Sequence, residues 1–155
     1  MRPSSNHHSK RSRSRPIAKA KCVFEASFPS KVEAVEPTVH QVLRALEQHG
    51  CKDGILDDVE IALREALHNA VLHGNGANPR KRVRLECSEY ADHSFLLIVR
   101  DSGPGFNPDR VADPTKRENL FRETGRGIYM IRHFMDEVQF KRGGREIRMR
   151  KKCCG

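Results

Sequence analysis

Apolar residues in the first half of the chain fall into strand-like and helix-like spacings. After residue 20, Phe24, Ala26 and Phe28 occupy alternate positions, which predicts a half-buried strand ended by Pro29. An apolar stripe at helical spacing then predicts a helix over about 37–49. The stripe consists of Val39, Val42, Leu43 and Leu46.

A second helix and two strands follow. The helix is predicted to begin after Asp57, whose spacing to Glu60 suits an N-terminal cap, and to end at Gly74, because glycine readily adopts the left-handed conformation. The first strand alternates and the second is apolar throughout, so we expect the second at the centre of a sheet. Their apolar residues are Val83, Leu85 and Cys87 in the first strand and 95–99 in the second.

The last third of the chain contains a long polar connection, a helix and a hairpin. Residues 106–124 are polar, contain proline and exceed the length of most connections, so we interpret them as a lid or binding loop. Apolar spacing from Ile128 to Met135 predicts a helix. Two short alternating runs on either side of Gly143 and Gly144 predict a closing hairpin.

Size and composition favour a single domain. The chain has 155 residues, 37% of them hydrophobic, which suffices for one core and not for two. Its longest apolar run is five residues, far below the roughly 20 that cross a bilayer. The first twenty residues lack the apolar block of a secretory signal. We therefore expect no membrane association and a cytoplasmic location.

Positive charge is concentrated at the start of the chain. The formal net charge is +9, and five of these charges lie in residues 1–16, which contain no acidic residue. Because this leader has little to bury, we predict that 1–16 is disordered, that 17–152 is the globular domain and that 153–155 is a tail. We expect no nucleic-acid binding except through the basic leader.

The cysteines indicate a reducing environment. The five of them are scattered and form no C-x-x-C pair, which argues against a zinc or thioredoxin-like site. A reducing cytosol is the simplest interpretation. We expect Cys22 and Cys87 to act as small core residues and the Cys153–Cys154 pair to belong to a frayed tail.

Candidate chemistry begins on the second helix. Glu65, Asn69 and His73 recur every four residues, so they lie near one line, with apolar residues around them. An ordinary solvated face remains the alternative, although such faces usually mix Lys with Glu. The amide oxygen of Asn69 suits a Mg²⁺ ion that bridges phosphates. Glu65, one turn earlier, can orient or deprotonate an attacking hydroxyl.

A turn at the exit of the apolar strand is the second candidate. Gly103 and Gly105 in the sequence DSGPG allow the backbone to approach a flat ligand closely. The ionised Asp101 carboxylate only accepts hydrogen bonds, so it can receive the exocyclic amino group of adenine. A plain turn with a strand-terminal Asp is the alternative.

The third candidate is Gly125-Arg126-Gly127, directly before the predicted helix. Free N–H groups at a helix start attract anions, and the Arg126 guanidinium adds charge and donors for phosphate oxygens. A structural cap is the alternative. No P-loop or Rossmann fingerprint is present to explain the glycines.

The order of these elements is more specific than any one of them. The stretches EALHNAVLHGN, DSGPGF and GRGIYMI resemble the N, G1 and G2 boxes of the GHKL ATPase superfamily, which includes gyrase and the histidine kinases. LREALHNAVLHGN, DPTKRENLFRETGRGI and IRHFMDEV resemble the branch of RsbW and SpoIIAB, the bacterial anti-sigma-factor serine kinases. The resemblance covers roughly residues 20–150.

The resemblance implies a Bergerat-type, two-layer α/β sandwich with a mixed, mostly antiparallel sheet. It also implies homodimers, Mg²⁺-ATP binding, phosphorylation of a serine on an anti-sigma-factor antagonist protein, and sequestration of a sigma factor. By position, Glu65 corresponds to the general base, Asn69 to the magnesium ligand and Asp101 to the adenine reader. The resemblance also implies three further groups of nucleotide-binding positions. Adenine is expected to contact Gly103 and Gly105, and the phosphates are expected near Gly125, Arg126, Gly127 and His73. The candidates for the γ-phosphate are Lys116, Arg122 and Arg126.

The chain also departs from this pattern, and other functions stay open. The segment GGREIRMRKK lacks the usual Gly-Thr of a third glycine box, and the basic leader is not part of the family's domain. The alternatives are an ATP-sensing module that binds a partner without catalysis, a stand-alone histidine-kinase-type catalytic domain, and a nucleic-acid binder that uses its leader. A phosphoacceptor helical pair, which would favour the histidine-kinase alternative, is missing from the sequence.

Overall fold

One five-stranded sheet and the helices packed on it form the computed structural model, which describes residues 19–110 and 123–153. The strands are β1 (Lys21–Pro29), β2 (Arg82–Glu89), β3 (Ser94–Arg100), β4 (Glu137–Lys141) and β5 (Glu146–Lys152). The α-helices are α1 (Val35–Gln48), α2 (Asp53–His68) and α3 (Glu123–Phe134), and a π-helical segment, Asn69–Gly74, continues α2.

The sheet has the order β1-β2-β3-β5-β4, and all four strand pairings are antiparallel. This confirms the two-layer α/β sandwich. The parallel pairing that a mixed sheet would contain is absent among the described strands. The apolar strand β3 lies in the middle as predicted, since a strand flanked on both sides is removed from water along its whole length.

Alternation along the strands explains which face of the sheet is covered. In β2, Val83, Leu85 and Cys87 are fully buried, while the residues between them are more exposed. The helices cover this face with the predicted α1 stripe, of which Val39, Val42 and Leu46 are fully buried. The helix α2 packs against both α1 and α3, so it forms the centre of the helical layer.

Two expectations about local structure are wrong. The helix α2 begins at Asp53 rather than after Asp57, because Ile55 and Leu56 pack against the core and extend the apolar face by one turn. Cys22 is exposed, because a β-bulge between Cys22 and Phe24 shifts the register of β1 against β2. Cys87 is a core residue as predicted, and burial raises the pKa of its thiol to about 12.

The expected frayed tail at Cys153 is also wrong. Cys153 is buried and forms a disulfide with Cys51, which precedes α2. The two Cα atoms lie 5.0 Å apart, and the residues are 102 positions apart in the chain. The pair therefore ties the end of β5 to the connection between α1 and α2. For these two cysteines the expectation of a reducing environment is also wrong, because disulfides are rare in a reducing cytosol.

None of the helices in the described residues is long and apolar enough to traverse a bilayer.

Candidate functional site

The second and third helices bring the first candidate residues together. Glu65 lies in α2 and Asn69 opens the π-helical segment, and both are half-buried. A Cβ atom at Gly127 of α3 would lie 3.0 Å from Glu65 Oε2 and 3.2 Å from Asn69 Nδ2. Gly127 therefore leaves the space in which the two polar side chains face the start of α3.

The end of α2 is widened at the candidate site. The Asn75 N–H donates to the Ala70 carbonyl at 2.9 Å, a contact five residues apart that is typical of a π-helix. Such insertions are frequent at functional sites. His73 lies in this segment and is exposed, so the α-helical spacing that aligned it with Glu65 holds only as far as Asn69.

The Asp101 turn packs directly on the end of this π-helical segment. A Cβ atom at Gly74 would collide with the Asp101 carboxylate, and one at Gly103 would collide with the Gly74 carbonyl. The carboxylate also accepts a hydrogen bond from the Gly103 N–H at 2.8 Å. The two glycines therefore permit a contact between the turn and α2 that no larger residue would allow.

The environment of Asp101 acts on its pKa in opposing ways. Burial raises the pKa of Asp101 above its ordinary value, because the charged form loses solvation. The Gly103 N–H and the positive charges of Arg145 and Lys81 act in the opposite direction. The carboxylate is thus partly desolvated but faces two cations and one donor.

Asn75 joins three segments at this point, and sequence reasoning missed it. Its amide nitrogen donates to Ser30 Oγ at 2.6 Å and to the Arg82 carbonyl at 3.1 Å. Its amide oxygen accepts the Ser102 N–H at 2.8 Å. The side chain is buried, with an exposed fraction of 3%. Its place directly after a helix-ending glycine gave no local signal of these distant partners.

The β4–β5 hairpin supports the other side of the Asp101 turn, and this contact was missed as well. The Asp101 N–H donates to the Arg145 carbonyl, and the Phe106 N–H donates to the Gly143 carbonyl, both at 2.9 Å. Gly105 has a positive φ of 79°, and a Cβ atom there would collide with the Gly143 carbonyl. The turn is therefore clamped between the π-helical segment and the hairpin.

The glycines of the third candidate are inside α3 rather than before it. The helix begins at Glu123, so the prediction that Gly125-Arg126-Gly127 precedes the helix is wrong. The N–H groups of Gly125 and Arg126 still lie in the first turn of the helix, where the helix dipole favours an anion. Gly127 comes one residue later, so what it provides is the space beside Glu65 and Asn69.

Only some of the remaining candidate residues lie in the part of the chain that the structure describes. Gly125 is buried at the start of α3, whereas Arg126 is exposed. Lys116 and Arg122, the other two candidates for the γ-phosphate, lie outside the described residues, as does most of the predicted lid.

Comparison with known proteins gives the family. A model of the histidine kinase-like ATPase domain matches residues 28–151. Serine-protein kinase RsbW of Staphylococcus aureus is 30% identical over 135 residues, which is 83% of this chain and 85% of that protein. Serine-protein kinase RsbW of Oceanobacillus iheyensis is 26% identical over 75% of this chain and 77% of its own length.

An anti-sigma F factor of Clostridium novyi is similar too, with 32% identity over 63% of this chain and 71% of its own length. The matched region contains the α2 stripe, the Asp101 turn and the start of α3. The chain therefore belongs to the histidine kinase-like ATPase family, in the branch of the RsbW serine kinases and anti-sigma factors.

Proposed function

We propose that this protein is a Mg²⁺-ATP-dependent serine kinase that phosphorylates an anti-sigma-factor antagonist and sequesters a sigma factor. One observation carries the proposal: Glu65 in α2 and Asn69 directly after it face Gly127 near the start of α3. The Asp101 turn packs on Gly74, at the end of the same widened helix. An acid, an amide oxygen and N–H groups at the start of a helix are elements that suit phosphoryl transfer. The names of the relatives, serine-protein kinase and anti-sigma F factor, support a protein serine as the acceptor and a sigma factor as a partner.

Each residue has a distinct proposed role. Asp101 accepts the adenine amino group, and Gly103 and Gly105 let the base lie against the backbone. The N–H groups of Gly125 and Arg126, in the first turn of α3, bind phosphate oxygens, and the Arg126 guanidinium adds positive charge. The family resemblance places His73 near the phosphates, and we assign it no separate role.

The donor set fits a magnesium ion. The half-buried Asn69 offers a neutral amide oxygen, which suits an ion that keeps several waters and bridges phosphates. When bound, Mg²⁺ would neutralise charge on the phosphates. Glu65 would take the proton of the serine hydroxyl as its oxygen bonds to the γ-phosphorus and ADP leaves.

Partners and location follow from the same relationship. We propose that the protein forms homodimers in the cytoplasm and exchanges a sigma factor for the antagonist according to its nucleotide state. The non-catalytic ATP-sensing module and the histidine-kinase-type domain are the competing functions. A labelling experiment with ATP distinguishes these functions. The serine kinase labels serine, the histidine-kinase-type domain labels histidine, and the non-catalytic module labels no protein.

The test is phosphoryl transfer from γ-labelled ATP with Mg²⁺ in a lysate of the source cell. We expect label on a serine of one small protein. Glu65→Gln should abolish labelling while ATP still binds, because the amide cannot accept the proton. Glu47→Gln, an exposed glutamate on α1, is the matched control and should leave labelling unchanged. Full transfer by Glu65→Gln would remove Glu65 from its role, and label on histidine would favour the histidine-kinase alternative.

A further inference from the structure

We propose that Arg145 is a positioning residue for ATP recognition, which holds the Asp101–Gly105 turn in the shape that presents the Asp101 carboxylate to adenine. The inference rests on the nucleotide site proposed above. It concerns the segment GGREIRMRKK, which lacks the Gly-Thr of a third glycine box and in which Arg145 directly follows Gly144.

The turn makes one hydrogen bond of its own, from the Gly103 N–H to Asp101 Oδ1. Two of its five residues are glycines, so this single bond leaves much of its backbone unrestrained. Glycine-rich segments have many accessible conformations, so a fixed shape requires bonds from outside. On the α2 side those bonds come from Asn75, and on the hairpin side they come from Arg145.

Arg145 contacts the turn along its whole length. Its backbone carbonyl accepts the Asp101 N–H, at the start of the turn. Its side-chain Nε donates to the Gly103 carbonyl at 2.7 Å, and Nη2 reaches the Pro104 carbonyl at 3.5 Å. Its Cγ lies 3.5 Å from the position that a Cβ atom of Gly105 would take. A planar guanidinium can bind two successive carbonyls in this way, whereas a hydroxyl cannot.

These bonds reach the adenine reader through Gly103. The Gly103 carbonyl accepts from Arg145, and the Gly103 N–H donates to Asp101 Oδ1 at 2.8 Å. The two bonds therefore restrain the peptide units on both sides of the Gly103 Cα atom. Arg145 fixes the direction of the Asp101 carboxylate through this shared residue, without touching the nucleotide itself.

Charge gives Arg145 a second effect on the same carboxylate. Arg145 from the hairpin and Lys81 from the segment before β2 are the cations that favour the ionised form of Asp101. Only the ionised form has no hydroxyl hydrogen and accepts from adenine with both oxygens. Loss of Arg145 leaves Lys81 alone against the burial of the carboxylate, so the pKa of Asp101 should rise.

The experiment measures Mg²⁺-ATP binding by calorimetry and steady-state labelling for the wild type and three variants. Arg145→Gln should weaken ATP binding by about tenfold, the size expected for a charged hydrogen bond near the surface. KM for ATP should rise and kcat should stay nearly the same, because the Arg145 side chain bonds to the turn proposed for adenine. Arg44→Gln, an exposed arginine on α1, is the control and should bind as the wild type does.

The pH dependence of binding separates positioning from general stability. ATP affinity should be present above the pKa of Asp101 and lost as the pH falls through it. In Arg145→Gln the midpoint of this loss should move to higher pH. Arg145→Lys keeps the charge but not the fork, so it should restore the midpoint and only part of the affinity.

The outcomes distinguish the two proposals. If the wild type binds no ATP, the proposed function fails. If the wild type binds and Arg145→Gln binds equally well with an unchanged midpoint, the Arg145 proposal is overturned and the function stands. If Arg145→Gln unfolds, Arg145→Lys decides, since wild-type affinity in that variant contradicts a need for the fork.

Discussion

The two ends of the proposed nucleotide pocket are built in different ways. At the adenine end, the turn that carries Asp101 donates a hydrogen bond to the Asn75 side chain and accepts one from the Arg145 side chain. At the phosphate end, the side chains of Glu65 and Asn69 face Gly127, and neither bonds to another residue within 19–110 or 123–153. One end is fixed before any ligand arrives, and the other keeps its polar atoms available.

This difference separates recognition from chemistry. Preformed hydrogen bonds reduce the entropy that binding must overcome, so the adenine end can select the base with little rearrangement. A side chain that binds a metal ion or a hydroxyl does so more readily when it has no hydrogen bond to the protein that must first be broken. We therefore expect substitutions at the adenine end to reduce stability and affinity together, and those at the phosphate end to reduce catalysis with little loss of stability.

The strongest test replaces Gly103 by alanine. The new Cβ atom would meet the backbone carbonyl of Gly74, which cannot move away as a flexible side chain could. We expect the free energy of unfolding to fall by about 4 kcal/mol, measured by urea denaturation. Gly54→Ala, where nothing lies within 4 Å of the new atom, is the control and should not destabilise the protein. Wild-type stability for Gly103→Ala would mean that the adenine end is not rigid.

The disulfide tests whether this rigidity depends on the stability of the whole domain. Replacing Cys51 and Cys153 together by serine removes a cross-link that spans 102 positions. The free energy of unfolding should fall by about 3 kcal/mol, mainly because the unfolded chain gains freedom. ATP affinity below the unfolding transition should be retained, since both ends lie elsewhere. Cys22→Ser, at an exposed thiol, should change neither property.

Asn75→Ala tests the α2 side of the turn. The substitution leaves Ser30, the Arg82 carbonyl and the Ser102 N–H without their partner in a buried position. We expect a loss of about 2 kcal/mol in unfolding free energy and weaker ATP binding. Thermal unfolding with and without Mg²⁺-ATP measures both. Asn78→Ala, at an exposed position, is the comparison, and equal effects in the two variants would contradict a special role for Asn75.

Gly127→Ala should give the smallest change in stability, about 1 kcal/mol, and would sharpen the contrast between the two ends. Here the added Cβ atom meets the tips of Glu65 and Asn69, which can shift by a few tenths of an ångström. Because these tips perform the proposed chemistry, kcat should fall well below the wild-type value in the labelling assay. Unchanged kcat would show that their positions are not critical.

The sequence predicts those parts of the fold that depend on local periodicity. Central β3 and the α1 stripe follow from spacing alone. The widened helix ends at Gly74 as predicted, although Gly74 does not have the positive φ on which that prediction was based. Asn75 and Arg145 could not be predicted, because their partners Ser30 and Gly103 lie 45 and 42 residues away. The start of α3 was misplaced for a related reason: glycines usually end helices, yet here close packing on α2 makes Gly127 necessary inside one.

The Cys51–Cys153 bond also changes what a broken backbone would look like. The segment between Cys51 and Cys153 contains α2, α3, strands β2 to β5 and every described residue of the proposed pocket. A single cut by a protease at exposed Arg80, for example, would leave the two fragments covalently joined. The nicked protein would migrate as one species in a denaturing gel without reductant and separate into two when a thiol is added.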